Sequence, residues 1–366
     1  MIKIKDDVTI RAILRDQSFL PPDVAGVLTA LGNNMDRDFK ALASRTSSIP
    51  FFVTGSRHKD LRFDLAAFYR PKKLECWRPT IASRAASRIA ALSGATKFCV
   101  VSDFSLPLLF DLAPDMLGIR PLEYHTAHTL FRDIEVLLEP LPRVSQVNRA
   151  QSSLETLCDH VLNSLSEHSD ETLETLAGTL GKQLNSSDGL THDSLCTLVA
   201  ICFMTTVAIA NTLHNILHNL LQNSDGLRPL ADPTWIKKNL DNLMRLNTAQ
   251  TVIVRRATAD KRIGSYMFQS GDVVELMIAD ASRNLSTCPY NTKLLNPQRR
   301  HLVFGAGAHT CPGRYLTELI LEEALVAIGH QLSDAKLAEP ATELRTRQVK
   351  TFTSLFIKRP TMEQSL

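Results

Sequence analysis

Apolar residues recur at helical spacing along much of the chain. This spacing predicts amphipathic helices over 79–93, 152–165, 171–184, 193–222 and 234–247, and a last helix from about Pro312 to Leu332. The helix at 234–247 follows Asp232-Pro233, a pair that favours the start of a helix. The sequence therefore predicts a mainly α-helical protein.

The hydrophobic period changes after residue 250. Residues 251–255 (TVIVR) and 272–278 (DVVELMI) are rich in β-branched side chains and predict short strands, as do residues 351–358. The polar stretch 280–303 contains two prolines and several asparagines, which favours an ordered meander over a helix. No linker rich in Pro, Gly or Ser interrupts the chain. We therefore expect one domain over 1–366, mainly α with small β-sheets.

Composition and charge exclude several classes of protein. The net charge of +3 and the pI near 8.4 are too mild to indicate a nucleic-acid or membrane-surface partner. No uninterrupted apolar run reaches the roughly 18 residues of a membrane span, and the first residues lack a signal-peptide layout. The seven cysteines are scattered without a C-x-x-C pair, which argues against disulfides and structural zinc. We expect a cytoplasmic, monomeric protein.

One of these cysteines lies in an unusual segment, residues 304–314, which read FGAGAHTCPGR. Gly305 and Gly307 allow the backbone to turn tightly beneath a flat ligand. Cys311 precedes a predicted helix, whose N-terminus stabilises a thiolate. A lone cysteine is usually a small buried residue, but the joint spacing of aromatic, glycine, histidine and cysteine favours a thiolate ligand of a haem iron.

The same segment resembles the haem-binding loop of the cytochrome P450 family, F-G-x-G-x-H-x-C-x-G. Every specified position is present: Phe304, Gly305, Gly307, His309, Cys311 and Gly313. The resemblance extends over nearly the whole chain and implies the cytochrome P450 fold with haem b as cofactor and Cys311 as its axial thiolate. Residues 7–16 look like the family's helix B, so the resemblance also implies that helix A and the first strands of the sheet are missing.

Cationic residues in three distant segments match the family's haem-propionate ligands. His58 and Arg62 match the H-x-x-x-R pattern of helix C, Arg255 matches an arginine on a strand, and His309 matches the loop histidine. A haem carries two carboxylates into a largely apolar slot, where such charges need cationic partners. The resemblance therefore implies that these four residues bind the propionates.

The helix at 193–222 resembles helix I, which crosses the distal face of the haem. The resemblance implies a catalytic alcohol at Thr205 and an apolar substrate pocket walled by Ile201, Phe203, Met204 and Val207. The family's distal acid and preceding glycine are replaced here by Met204 and Cys202. Because proton delivery typically contributes about 10²–10⁴-fold to a rate, oxygen activation is either impaired or sustained by Thr205 and water. Both readings stay open.

The helix at 234–247 resembles helix K, with Asn242 in place of the glutamate of the E-x-x-R motif. A buried Arg245 without that carboxylate needs another acceptor, such as a backbone carbonyl of the stretch 280–303. Asp241 is adjacent, but we expect it to point about 100° away from Asn242 on a helix.

These features predict a haem-thiolate monooxygenase that oxidises a small organic molecule of the secondary-metabolite type. Its electrons would come from a ferredoxin or flavodoxin and a reductase. A basic cluster consists of Arg70, Lys72, Lys73, Arg78 and Arg84. It is either a docking surface for an acidic ferredoxin or merely a solvated face. One alternative is an atypical haem-thiolate enzyme that catalyses peroxygenation, rearrangement, dehydration or oxidative cyclisation. The other is a degenerate, non-catalytic binding member.

Overall fold

The computed structural model describes residues 1–139, 142–167, 175–184, 190–283 and 301–359. The chain divides into two compact units. The sheet unit consists of Met1–Phe19, Leu74–Leu109 and Val207–Leu366, and the helical unit of Leu20–Lys73 and Phe110–Thr206. The single domain expected from the sequence stays a prediction.

Helices make up most of the described structure. In chain order they are α1 (Asp7–Arg15), α2 (Val24–Met35), α3 (Lys40–Thr46), α4 (Gly55–Ala66), α5 (Pro71–Glu75), α6 (Arg78–Ala91), α7 (Leu106–Leu117), α8 (Tyr124–Glu135), α9 (Val144–Glu167), α10 (Leu176–Leu184), α11 (His192–Thr205), α12 (Val207–Leu221), α13 (Pro233–Leu246), α14 (Ile278–Arg283) and α15 (Arg314–Leu332). A π-helical segment, Val100–Ser105, leads into α7, and short 3-10 segments occur at Val136–Leu138, Arg228–Ala231 and Gly307–His309.

The strands are short and lie mainly in the sheet unit. They are β1 (Ile2–Ile4), β2 (Phe19–Leu20), β3 (Lys97–Cys99), β4 (Ile253–Ala257), β5 (Lys261–Ile263), β6 (Tyr266–Phe268), β7 (Val273–Leu276), β8 (Lys336–Leu337), β9 (Thr342–Arg345), β10 (Lys350–Ser354) and β11 (Phe356–Lys358). The largest sheet has the order β1-β7-β4-β2, with β1 parallel and β4 antiparallel to β7. The remaining strands form the sheets β3-β11-β8, β9-β10 and β5-β6.

The helical unit is organised around α9, which packs against α8 and α11. Helix α11 begins where the sequence supplies a cap: the Thr191 hydroxyl accepts a hydrogen bond from the Ser194 amide, 3.1 Å away. Three aromatic rings, Phe110, Phe131 and Phe203, form a cluster in the core of this unit.

The sheet unit places one hydrophobic core between its largest sheet, α1 and the segment that contains Cys311. Ile4 and Leu276, partners across the β1–β7 pair, are fully buried in this core together with Ile10 of α1. Leu302 and Ala306 extend the same core into the segment before Cys311. The segment is therefore anchored on a rigid support before it reaches the cysteine.

Most elements predicted from the hydrophobic pattern are present. The helices predicted at 79–93, 152–165 and 234–247 correspond to α6, part of α9 and α13, and the helix predicted at 171–184 corresponds to α10 in its described part. The polar stretch 280–303 begins within α14, and its residues 284–300 lie outside the described residues. Residues 351–358 form two strands, β10 and β11, which belong to different sheets.

One strand precedes α1, where the sequence led us to expect none. Ile2–Ile4 form β1, with Ile2 opposite Val274 and Ile4 opposite Leu276. A strand of three residues is too short for alternation to be visible in the sequence. Its pairing with β7 and the burial of Ile4 hold it in place.

The long apolar helix predicted over 193–222 is interrupted at Thr206, which separates α11 from α12. The hydroxyls of Thr205 and Thr206 donate to the carbonyls of Cys202 and Phe203, at 3.0 Å and 2.7 Å. Such bonds from Thr side chains compete with the backbone ladder and bend helices. The β-branched residues 205–207 add to this tendency.

By length and composition alone, His192–Leu221 could cross a membrane. The sequence analysis expected no stretch of this kind because it considered only uninterrupted apolar runs. Judged by the mean hydropathy of a window of 18 residues, that expectation is wrong. However, 67% of the most apolar window of this stretch is buried within the protein. Burial of that kind is typical of a core helix, whose surroundings are as apolar as its own side chains.

Candidate haem site

The segment that contains Cys311 forms a closed loop. The Cys311 amide donates a hydrogen bond to the Phe304 carbonyl at 2.9 Å, and the Gly305 amide donates to the Leu302 carbonyl at 2.8 Å. Gly305 and Gly307 have φ values of 70° and 74°, in the left-handed region that favours glycine. Cys311 itself is exposed at the loop's surface. The loop's own hydrogen bonds therefore fix the backbone that carries the exposed cysteine.

Gly307 is needed for close packing as well as for its conformation. A β-carbon at Gly307 would lie 2.4 Å from the carbonyl oxygen of Leu14 at the end of α1. The 3-10 segment Gly307–His309 therefore rests directly on α1, and the Thr310 hydroxyl closes it by donating to the Gly307 carbonyl at 2.8 Å. Only glycine allows this approach.

The loop leads into α15 slightly later than the sequence predicts. Pro312 and Gly313 form a turn, and the helix begins at Arg314 with Gly313 as its N-cap residue. The Thr317 amide donates to the Gly313 carbonyl, which is the first bond of the helix. Cys311 is thus three residues before α15 and still near the positive end of its dipole.

Arg255 is a buried cation on β4 of the same unit. Its side chain donates to the Val254 carbonyl at 2.8 Å, and the residue is 8% exposed. Burial lowers the pKa of the guanidinium to about 10. Among the described residues, no carboxylate forms an ion pair with it. A buried cation that no described carboxylate pairs with fits the carboxylate of a ligand, and the Cys311 loop offers an exposed cysteine close to two glycines with left-handed backbone. These residues fit a haem.

The other predicted propionate ligands lie in two places. His58 and Arg62 are one helical turn apart on α4, in the helical unit. His58 is buried, and the pKa of its imidazole is lowered, first by that burial and then by the charge of Arg62. His309 is half-buried in the loop of the sheet unit. Their roles toward a propionate stay predictions.

The predicted distal residues lie in the last turn or two of α11 and at the first position of α12. Thr205 is exposed, Met204 is half-buried and Ile201 is buried, all within the helical unit, while Val207 is the half-buried first residue of α12. The Thr205 hydroxyl donates to the Cys202 carbonyl. The catalytic role of Thr205 and the pocket roles of its neighbours stay predictions.

Phe203 occupies a closed environment. Its ring is fully buried, with centroids 5.0 Å from Phe131 and 5.7 Å from Phe110 in edge-on arrangements. These contacts account for the ring's burial as part of the core of the helical unit. The role of Phe203 as a pocket wall stays a prediction.

Two acceptors replace the missing glutamate as hydrogen-bond partners of Arg245. Its Nη1 donates to the Ser282 carbonyl at 2.6 Å and its Nε to Asn242 Oδ1 at 3.3 Å, and both side chains are 2% exposed. The expectation of a backbone acceptor within 280–303 is confirmed at Ser282, although that residue lies on α14 and not in a meander. Burial lowers the pKa of Arg245, while the charge of Asp241 raises it.

Two residues that sequence reasoning missed lie at the ends of the Cys311 loop. His301 Nε2 is 3.1 Å from Asp241 Oδ1, and Arg314 Nη2 is 3.4 Å from the same oxygen. His301 precedes the recognisable motif, and Arg314 follows it. Neither has a periodicity or spacing that would have identified it.

The predicted basic cluster is partly neutralised. Arg78 forms ion pairs with Glu75, Glu322 and Glu323, which raise its pKa. The Lys73 ammonium donates to the Thr179 hydroxyl at 2.8 Å. Arg70 and Lys72 are exposed. Arg78 is therefore part of a structural network and not a free docking charge.

Comparison with known proteins adds to this geometry. No family model matches the chain. By sequence it is similar to cytochrome P450-SU2 of Streptomyces griseolus, with 28% identity over 334 residues, which cover 85% of this chain and 80% of that protein. By fold it is similar to CalO2, with a TM-score of 0.85 at 19% identity over 98% of this chain and 90% of CalO2.

A second solved structure is also similar in fold. Epothilone D-bound cytochrome P450epoK has a TM-score of 0.82 at 18% identity, and the match covers 98% of this chain and 91% of that one. The mainly helical cytochrome P450 fold expected from the sequence is thereby confirmed. In sequence and in fold, the chain is therefore similar to bacterial cytochromes P450.

Proposed function

We propose that this protein is a haem-thiolate monooxygenase that carries out oxidative tailoring of a small organic molecule, with Cys311 as the axial ligand. The observation that carries the proposal is the closed loop in which the Cys311 amide bonds to the Phe304 carbonyl while the cysteine stays exposed. This arrangement fixes the backbone that carries the cysteine, as the support of a metal ligand requires.

The chain's own residues divide into a thiolate support and a set of cations. Gly305 and Gly313 would let the loop approach a flat cofactor, Gly307 lets it rest on α1, and the Phe304 carbonyl closes the loop by accepting from the Cys311 amide. Arg255 and His309, with His58 and Arg62, would hold the two propionates. A thiolate-bound haem supplies oxygen activation, because the thiolate donates electron density that favours O–O cleavage.

The proposed substrate is apolar and resembles a secondary metabolite. Ile201, Met204 and Val207 would give its pocket an apolar wall. The fold neighbour P450epoK binds epothilone D, and another neighbour is the cytochrome P450 PksS of a polyketide synthase. These neighbours support the substrate class.

We further propose that the protein works in the cytoplasm as a monomer and receives electrons from a ferredoxin or flavodoxin with its reductase. Arg70 and Lys72 supply exposed positive charge on the helical unit. Opposite charges of this kind mainly accelerate the encounter with an acidic partner.

A second candidate function is a haem-thiolate enzyme that bypasses the usual delivery of protons. Met204 replaces the acid, and the Thr205 hydroxyl already donates to the Cys202 carbonyl at 3.0 Å. A hydroxyl engaged in this way, beside a thioether, is a poor proton relay. This observation favours a peroxygenase or a catalyst of rearrangement, dehydration or oxidative cyclisation.

Spectroscopy of the Cys311→Ser variant tests the main proposal. The reduced, CO-bound protein should have the strongly red-shifted Soret band of a thiolate-ligated haem, and Cys311→Ser should abolish it. Cys76→Ser, which alters another exposed cysteine of the same unit, should leave the band unchanged. An unshifted band in the parent protein, or a shifted band in Cys311→Ser, contradicts the proposal.

Turnover separates the two candidate functions. Product formation with reductase and dioxygen, but not with peroxide alone, supports the monooxygenase. The reverse result supports the peroxygenase, and we then expect Met204→Glu to increase the share of reductase-driven product. Protein that purifies without haem from cells well supplied with it supports a non-catalytic binding member.

A further inference from the structure

We propose that Asp241 is a positioning residue that holds both ends of the Cys311 loop. Asp241 lies on α13, and one of its carboxylate oxygens faces His301 at 3.1 Å and Arg314 at 3.4 Å. His301 is three residues before Phe304, and Arg314 is three residues after Cys311. This inference rests on the proposed role of Cys311 as the haem ligand.

At the first end, the hydrogen bonds define the protonation of the histidine. The Val303 amide donates to His301 Nδ1 at 3.3 Å, so Nδ1 is an acceptor and Nε2 carries the proton that points toward Asp241. The His301 side chain is 1% exposed. A buried imidazole whose two nitrogens are both committed has one orientation, and that orientation fixes the chain just before Leu302.

At the second end, Arg314 joins the carboxylate to the aromatic ring inside the loop. Its guanidinium lies over the Phe304 ring, 5.5 Å from the centroid, and its Nε donates to Glu318 at 2.5 Å. The His301 ring also contacts Phe304, with centroids 5.6 Å apart. Both residues held by Asp241 therefore contact the residue whose carbonyl accepts the Cys311 amide.

In the E-x-x-R pattern one glutamate supplies both the acceptor for the arginine and a negative charge. Here two neighbouring positions on α13 supply them separately. Asn242 satisfies the buried Arg245, as described above. Asp241, displaced by one position around the helix, provides the negative charge and directs it at the loop. The carboxylate is half-exposed, with 53% of its side-chain surface accessible. We therefore expect its loss to affect the loop more than the stability of the whole protein.

Haem release from the holoprotein tests this assignment. We expect Asp241→Leu to release haem about 10-fold faster or more, because residues that orient a metal's ligands typically contribute 10–100-fold to affinity. We also expect a larger share of the reduced, CO-bound protein to lose the red-shifted band. Asp241→Asn keeps an acceptor for His301 but removes the charge that faces Arg314. Its rate of haem release should lie between those of the parent and Asp241→Leu. This variant also keeps the test available if Asp241→Leu does not fold.

Asp334→Leu is the matched control. It removes a carboxylate of similar exposure that pairs with Arg228 at 3.1 Å in the same unit, and should leave both readouts unchanged. Parent-like release and spectra in both Asp241 variants, or an equal loss in Asp334→Leu, overturn the inference. The proposed function fails separately, when Cys311→Ser keeps the band or the parent lacks it.

Discussion

Gly307 rests on the carbonyl oxygen of Leu14, so closely that a β-carbon there would lie 2.4 Å from it. We expect Gly307→Ala to destabilise the protein and weaken haem retention. The φ of 74° adds roughly 1–2 kcal/mol for a residue with a β-carbon, and forcing backbone atoms apart costs about 1–3 kcal/mol more. Urea unfolding and haem content measure the two effects.

Gly226→Ala is the control for the Gly307 variant. Gly226 also has a positive φ, 56°, but nothing lies within 4 Å of a β-carbon placed there. It should show the conformational cost alone and keep its haem. Equal losses in the two variants would mean that contact with Leu14 does not matter.

Replacement of Arg255 should stabilise the haem-free protein but weaken the binding of haem. Replacing this buried guanidinium by methionine removes a charge that no described carboxylate pairs with, so Arg255→Met should stabilise the haem-free protein by about 1 kcal/mol or more. The same change should speed haem release, because a propionate loses its cation. Thermal unfolding without haem and the rate of haem transfer to an acceptor measure the two directions.

The neighbouring Arg256 provides the control for Arg255. It is exposed and lies on the other face of β4, since side chains alternate along a strand. Arg256→Met should change neither quantity. A haem-free Arg255→Met protein that is less stable than the parent would argue that the arginine is needed for the fold itself.

The fold could be predicted where the hydrophobic pattern is long. α13 was predicted almost to its ends, because Asp232 and Pro233 mark its start and the Asp232 carboxylate does accept from the Thr234 amide. β1 could not be predicted, since three residues carry no period and their pairing with β7 is set over 270 residues away. The interruption at Thr206 depends on hydroxyl bonds to carbonyls, which an apolar pattern does not contain.

The candidate site was predictable only where residue type and spacing coincide with a known loop. Cys311 and its glycines were found in this way. The link from Asp241 to His301 was not, because it depends on how α13 packs beside the loop. The burial of Phe203 among aromatic rings could not be predicted either, because an apolar residue on a helix can face a pocket or a core.

Asn242 should matter for stability through Arg245. Asn242→Leu leaves the buried Nε of Arg245 without this acceptor, which costs about 1–3 kcal/mol because the donor is charged. Asn239→Leu is the control, since Asn239 is buried on the same helix but donates to the Trp235 carbonyl. Denaturant unfolding should therefore separate the two variants. A larger loss in Asn239→Leu would contradict the role of Asn242.

A buried histidine, His214 on α12, should make stability depend on pH. Its Nε2 is 2.5 Å from the Ser105 hydroxyl. Its Nδ1 is 3.3 Å from the Thr351 hydroxyl, which itself donates to Asn211. Both ring nitrogens are therefore engaged by hydroxyl groups in the interior.

Burial lowers the pKa of His214 from 6.5 to about 3. Between these values the unfolded chain binds a proton that the folded protein does not. The contribution of His214 is therefore fully present above pH 6.5 and is lost at about 1.4 kcal/mol per pH unit as the pH falls toward 3. His214→Gln should remove this part of the slope, while His192→Gln, at an exposed position of α11, should keep it. Parallel stability curves for the parent and His214→Gln would show that His214 is protonated in the folded protein.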